Sequence, residues 1–131
     1  MIPATPPQAG RLPVRQIIHT VGPTDGSEPV LRSCYERCLS CARASGCRSI
    51  VRARATPKRS ARPITGAQAF PCIATGVYGY DNESAARVAL EATRAFLARD
   101  GNAAAFDSIV FCAFLEKDKI IYDALLPAYF P

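Results

Sequence analysis

The sequence predicts an α/β domain built on a mainly parallel sheet. Short apolar, β-branched runs alternate with longer segments of helical period. The helical segments between strands are long enough to serve as right-handed crossovers. The run at 106–114 is apolar almost throughout, as suits a strand covered on both faces. At 131 residues, 49% of them hydrophobic, the chain suits one domain with a real core.

Taken in order, residues 1–8 are Pro-rich without an apolar signal-peptide core, and read as a disordered tail. Residues 15–21 are expected to be a strand, with Ile17, Ile18 and Val21 as its apolar bulk and Gly22-Pro23 ending it. His19, the single histidine, is expected to be a hydrogen-bonded core residue rather than a catalyst or ligand. Residues 29–45 are expected to form a helix burying Leu31, Tyr35, Cys38, Leu39 and Ala42, with Gly46 as its C′ residue.

The six cysteines, with no secretion signal, are expected to be free thiols in a reducing compartment, cytoplasmic or nuclear. Cys34, Cys38 and Cys41 lie along one side of that helix. They read as small core hydrophobes, because a structural zinc site takes four ligands and no histidine is near.

A strand begins at Arg48-Ser49-Ile50 and is interrupted by residues 51–68, an Arg-, Ala- and Pro-rich stretch that reads as a solvated loop. The net charge of +5 resides there. Without Arg52, Arg54, Lys58, Arg59 and Arg62, eleven basic residues face eleven acidic ones. With no aromatics among the arginines, nucleic-acid binding is not expected. Joining Ile50 to Ala69 restores one apolar strand, Ser-Ile-Ala-Phe-Pro-Cys-Ile. A Val codon begins GT and a Gln codon can end in AG, so residues 51–68 are expected to be a translated intron, with a tolerated surface insertion as the alternative. Transcripts that keep these codons would sink that expectation.

After the apolar residues 69–73 comes Thr75-Gly76-Val77-Tyr78-Gly79-Tyr80, and then a long alanine-rich helix over 84–99. Strand, glycine loop and helix N-terminus in that order favour an anion, although an ordinary strand-to-helix turn has the same spacing. The amides of Gly76, Val77, Tyr78 and Gly79 are candidates to hold a diphosphate, with the Thr75 hydroxyl beside them and Tyr80 against a ribose. Asp81, Asn82 or Ser84 can cap the helix. Residues 106–114 are the next strand, and 117–126 a last helix with Pro127 at or just past its end. Ligands in such folds sit beyond the C-terminal ends of the strands, where the loop and Phe114 both fall.

The letters are more specific than the spacing. AFPCIATGVYGY followed by a helix resembles the phosphate loop of the macro-domain family. The stretch from Gln16 to Pro23, containing I-H-T-V-G-P, and the strand at 108–114 also resemble segments of that family. So does the closing helix at 118–130, ending L-L-P-x-Y-F. The resemblance is to the branch that hydrolyses mono-ADP-ribose from proteins. It implies a three-layer α/β/α fold that binds ADP-ribose or a mono-ADP-ribosylated protein, with no cofactor, metal or membrane. Thr75, Gly76, Val77, Tyr78 and Gly79 would grip the diphosphate, with Tyr80 beside the distal ribose and Phe114 near the adenine. Core packing is the other reading of Tyr80 and Phe114.

The family's first half, with its adenine-reading acid, its N-A-A-N stretch and its Gly-rich loop bearing an Asp, has no counterpart in residues 1–16. No catalytic residue carries over. The expectation is a partial macro domain over 9–131, truncated at its N-terminus and interrupted at 51–68. With exposed sheet edges it is expected to be poorly soluble or molten.

Overall fold

The computed structural model describes residues 18–47, 68–113 and 115–131. Their order is α1 (Glu28–Ala44), β1 (Gln68–Pro71), α2 (Asn82–Leu97), a short 3₁₀ turn (Ala103–Ala105), β2 (Ile109–Cys112) and α3 (Glu116–Tyr129). β1 and β2 pair in parallel, Gln68 opposite Ile109 and Phe70 opposite Phe111. Residues alternate faces along a strand, so Phe70 and Phe111 point the same way. All three helices pack on that face, with α2 between α1 and α3. The described residues thus build two of the expected three layers. Val110, on the other face, is 40% exposed.

α1 forms where Leu31, Tyr35, Cys38, Leu39 and Ala42 share one stripe, and all five are buried. It starts with Pro29 in its first turn and ends in a Schellman arrangement. Gly46, at φ +67°, donates to Arg43 O (3.1 Å), and Cys47 donates to Ala42 O (2.9 Å). α2 buries Ala85, Val88, Ala89, Ala92 and Phe96 against α1 and the sheet. Its buried Thr93 satisfies its hydroxyl on Ala89 O at 2.8 Å. Asn102 closes the end of α2 by donating to Phe96 O at 2.7 Å and accepting from Arg43.

Several expectations are corrected. Gln68, assigned to the insert, is the first residue of β1; residues 51–67 lie outside the described residues. Of the strand expected at 15–21, residues 15–17 lie outside the description, and 18–20 carry no strand pairing. That segment lies along α1 instead, where Cys34 Sγ donates to Val21 O at 3.2 Å. His19 is exposed there rather than in the core.

β2 is shorter than the run at 106–114, because the 3₁₀ turn delays its start and Phe106 packs into the core as that turn's cap. α3 runs through Pro127 to Tyr129. So near its end, proline deprives the helix of a single hydrogen bond, and its fixed φ is helical. Most buried residues of α1, β1 and α2 form one cluster, while Ala86 and Leu90 of α2 pack in a second with Tyr122 of α3. The solubility concern rests on the exposed Val110, Leu115, Ile120 and Phe130.

Candidate functional site

The end of β1 turns sharply at Ala74, which has φ +67°. Gly22 makes room for that turn: a Cβ on Gly22 would stand 2.7 Å from Ile73 Cγ2 and 3.0 Å from Ala74 Cβ. The loop then closes on itself. Gly79 N–H donates to Gly76 O (3.0 Å), and Tyr80 N–H donates to Ala74 O (3.0 Å). Gly79 needs its glycine, since its φ is +67°. The N–H groups of Gly76, Val77 and Tyr78 donate to no backbone carbonyl among the described residues. Gly76, Val77 and Tyr78 are all exposed. A Cβ on Gly76 would meet nothing within 4 Å, so that residue borders open space beside these amides.

This geometry narrows the expected anion cradle. Gly79's amide is committed to the turn and leaves the donor set. The Thr75 hydroxyl donates inward to Cys72 O at 3.4 Å, so in this arrangement it faces no ligand as a donor. The N-terminus of α2 contributes less than a bare helix end. Asp81 caps it, its Oδ2 accepting from Ser84 N–H at 2.9 Å. Those bonds to Ser84 hold the Asp81 carboxyl below its usual range, so it carries negative charge where an anion would approach.

Tyr80 is half-buried and packs on the core cluster. Desolvation, then the charges of Glu28 and Asp81, push its phenol up, so it presents a neutral ring. Tyr78 is 46% exposed and Val77 fully so. Phe114 lies outside the described residues.

Residues that the sequence reading did not assign to the site also hold the loop. Asn82 donates to the buried Asp118 carboxylate, tying the first turn of α2 to that of α3. Tyr35 donates to Pro71 O at 3.5 Å beneath the strand end. Gly22 had the one legible signal, its place in Gly22-Pro23, but it read only as a strand terminator.

A cleft of about 560 Å³ lies away from the loop, among Thr93, Leu97, Phe106, Ile109, Leu126 and Phe130. Its walls are mostly apolar, without the convergent donors a phosphate needs. Among the described residues, no cluster of His, Cys, Asp or Glu has metal-holding geometry, and no helix is long and apolar enough to cross a membrane.

A parallel β-α-β unit with a glycine loop beyond the end of its first strand defines an α/β domain of the class that places ligands outside the C-terminal ends of its strands. The macro-domain family model matches residues 4–89, and the chain belongs to that family. It is 41% identical to the ADP-ribose glycohydrolase MACROD1 of Bos taurus, over 92% of this chain and 33% of the relative. It is 36% identical to the O-acetyl-ADP-ribose deacetylase of Klebsiella pneumoniae, over 92% of this chain and 60% of the relative. The Trypanosoma brucei macrodomain solved with ADP-ribose superposes with a TM-score of 0.74 at 34% identity, covering 92% of this chain and 44% of that one. The chain thus spans between a third and three-fifths of the length of these relatives.

Proposed function

We propose that this chain recognises ADP-ribose, free or attached to a protein, by holding its diphosphate on the amides of Gly76, Val77 and Tyr78. The observation that carries this reading is the loop itself. The amides of three consecutive exposed residues make no backbone bond among the described residues, beside a glycine whose missing Cβ leaves open space. Amides fixed by their neighbours bind an anion without first having to be ordered. Thr75 and Gly79 shape the loop, Tyr80 offers a neutral ring to the distal ribose, and Phe114 is the candidate for the adenine. The relative solved with ADP-ribose supports the ligand.

The wider activity we propose is removal of mono-ADP-ribose from proteins inside the cell, in line with relatives named as glycohydrolase and deacetylase. The carboxylate nearest the loop in sequence, Asp81, caps α2 and is bonded to Ser84. A second reading is a module that binds ADP-ribose without hydrolysing it.

Titration calorimetry with ADP-ribose and with adenosine tests recognition, and a de-modification assay separates the two readings. ADP-ribose is expected to bind and adenosine to bind far more weakly. Equal affinity for both would remove the diphosphate from the account. No binding of ADP-ribose at millimolar concentration would mark a fragment without this function.

A further inference from the structure

We infer that Asn82 and Asp118 are a positioning pair that fixes the outgoing end of the glycine loop, an inference that rests on the diphosphate reading above. α2 and α3 both begin at the end of the β1–β2 pair where the loop lies. Asn82 is the first residue of α2 and Asp118 the third of α3, and the Asn82 side-chain amide donates to Asp118 Oδ1. Asp118 is 4% exposed, the one buried carboxylate among the described residues. Further along the same seam the contact between these helices is apolar. Ala86 and Leu90, one and two turns on from Asn82, pack with Tyr122, one turn on from Asp118. Two apolar side chains at the top of the seam would pack as well, without the cost of burying a charge. The positive end of α3, whose N-cap residue Leu115 makes no side-chain cap bond, offsets part of that cost. What the hydrogen-bonded pair adds is direction, which apolar contact lacks.

The loop hangs between two anchors. Its incoming end is Ala74, at φ +67°, whose carbonyl receives Tyr80 N–H at 3.0 Å. Its outgoing end is the run Tyr80-Asp81-Asn82, which leads directly into α2. Asp81 spends its carboxylate on Ser84 of the same helix, so it is the Asn82 side chain that ties this run to α3. Neither Asn82 nor Asp118 is assigned a contact with the ligand. Their role is to set where α2 starts relative to α3. That in turn fixes where Tyr80 stands and which way the amides of Gly76, Val77 and Tyr78 point.

The test uses the full chain and two double variants. One is apolar, Asn82→Leu with Asp118→Leu. The other exchanges the partners, Asn82→Asp with Asp118→Asn, and so keeps a hydrogen bond between the two helices. Amide hydrogen exchange is read without ligand at Tyr80, whose N–H closes the loop, and at Leu39, buried in α1. Affinities for ADP-ribose and adenosine are measured alongside. The apolar variant is expected to keep its thermal midpoint, since an apolar pair replaces a buried polar one. Its Tyr80 amide is expected to exchange about tenfold faster with Leu39 unchanged, and its ADP-ribose affinity to fall about tenfold with adenosine spared. The exchanged pair is expected to restore both. An apolar variant that matches the parent at Tyr80, equal acceleration at Tyr80 and Leu39, or an exchanged pair no better than the apolar one would overturn the inference. If the unmodified protein fails to bind ADP-ribose, the diphosphate reading falls. The exchange at Tyr80 still decides whether the pair holds the loop.

Discussion

The glycine loop proposed to hold the diphosphate and the apolar cleft lie at opposite ends of the β1–β2 pair, and they differ in nearly every property used to judge a site. The cleft has volume and apolar walls, from the C-terminal halves of α2 and α3 and the start of β2. The loop is exposed and shallow, with Val77 fully in solvent. Yet the loop has what an anion needs: donors fixed by neighbouring turns, and a gap where a side chain is missing. Volume measures how much apolar surface a ligand can bury, whereas a diphosphate is recognised by the direction of N–H groups.

Substitutions can break that comparison. Phe106, which lines the cleft and packs against Phe96, is 9% exposed. Phe106→Ala is expected to cost about 3–5 kcal/mol of stability, read by denaturant unfolding, with ADP-ribose affinity of the folded protein unchanged. Gly76→Val is the mirror case. Its added carbons enter the open space by the amides, so ADP-ribose affinity is expected to fall about a hundredfold, or about 2.7 kcal/mol. Stability is expected to stay within about 0.5 kcal/mol, because nothing is displaced. A Gly76→Val protein that unfolds early, or a Phe106→Ala protein that loses binding, would merge the two regions.

Alkaline pH sharpens the contrast, because it acts on the core. Burial pushes the Cys38 thiol up to about 11, with a Thr20 hydrogen bond partly opposing. The unfolded chain therefore loses this proton first, and stability falls as pH rises from about 9 through 11. Burial raises the Tyr35 and Tyr122 phenols as well, which extends the loss to higher pH. Cys38→Ala is expected to lessen the fall of the thermal midpoint with pH, most clearly between about 9 and 10, before the phenols begin to contribute. The smallest effect is expected from Tyr129→Phe. It removes a 3.1 Å bond to Glu91, which also accepts from Arg32 at 2.9 Å. These groups are partly exposed, so the change should be about 0.5 kcal/mol or less, with no effect on binding.

Much of this arrangement was legible in the residues. The stripe from Leu31 to Ala42 and the alanines of α2 mark helices that must bury one face, and Gly46 marks where α1 stops. The loop's position followed from apolar strand, glycines and capping residues in order. Local letters do not reveal which amides the loop consumes in closing, because that depends on the Ala74 and Gly76 carbonyls folding back. They do not show that Thr75 turns inward or that α3 passes through Pro127. The Tyr35–Pro71 bond joins residues far apart in sequence, and helical period reads Tyr35 only as core. His19 was misplaced because its strand pattern presumed pairing that residues 18–20 do not make.

The most direct measurement is an amide-resolved NMR titration of the full chain with ADP-ribose and, separately, with adenosine. The largest shifts are expected at Gly76, Val77 and Tyr78 with ADP-ribose and not with adenosine, while Ile109, Val110 and Leu126 around the cleft stay still. Shifts centred on the cleft, or loop amides indifferent to ADP-ribose, would contradict the account.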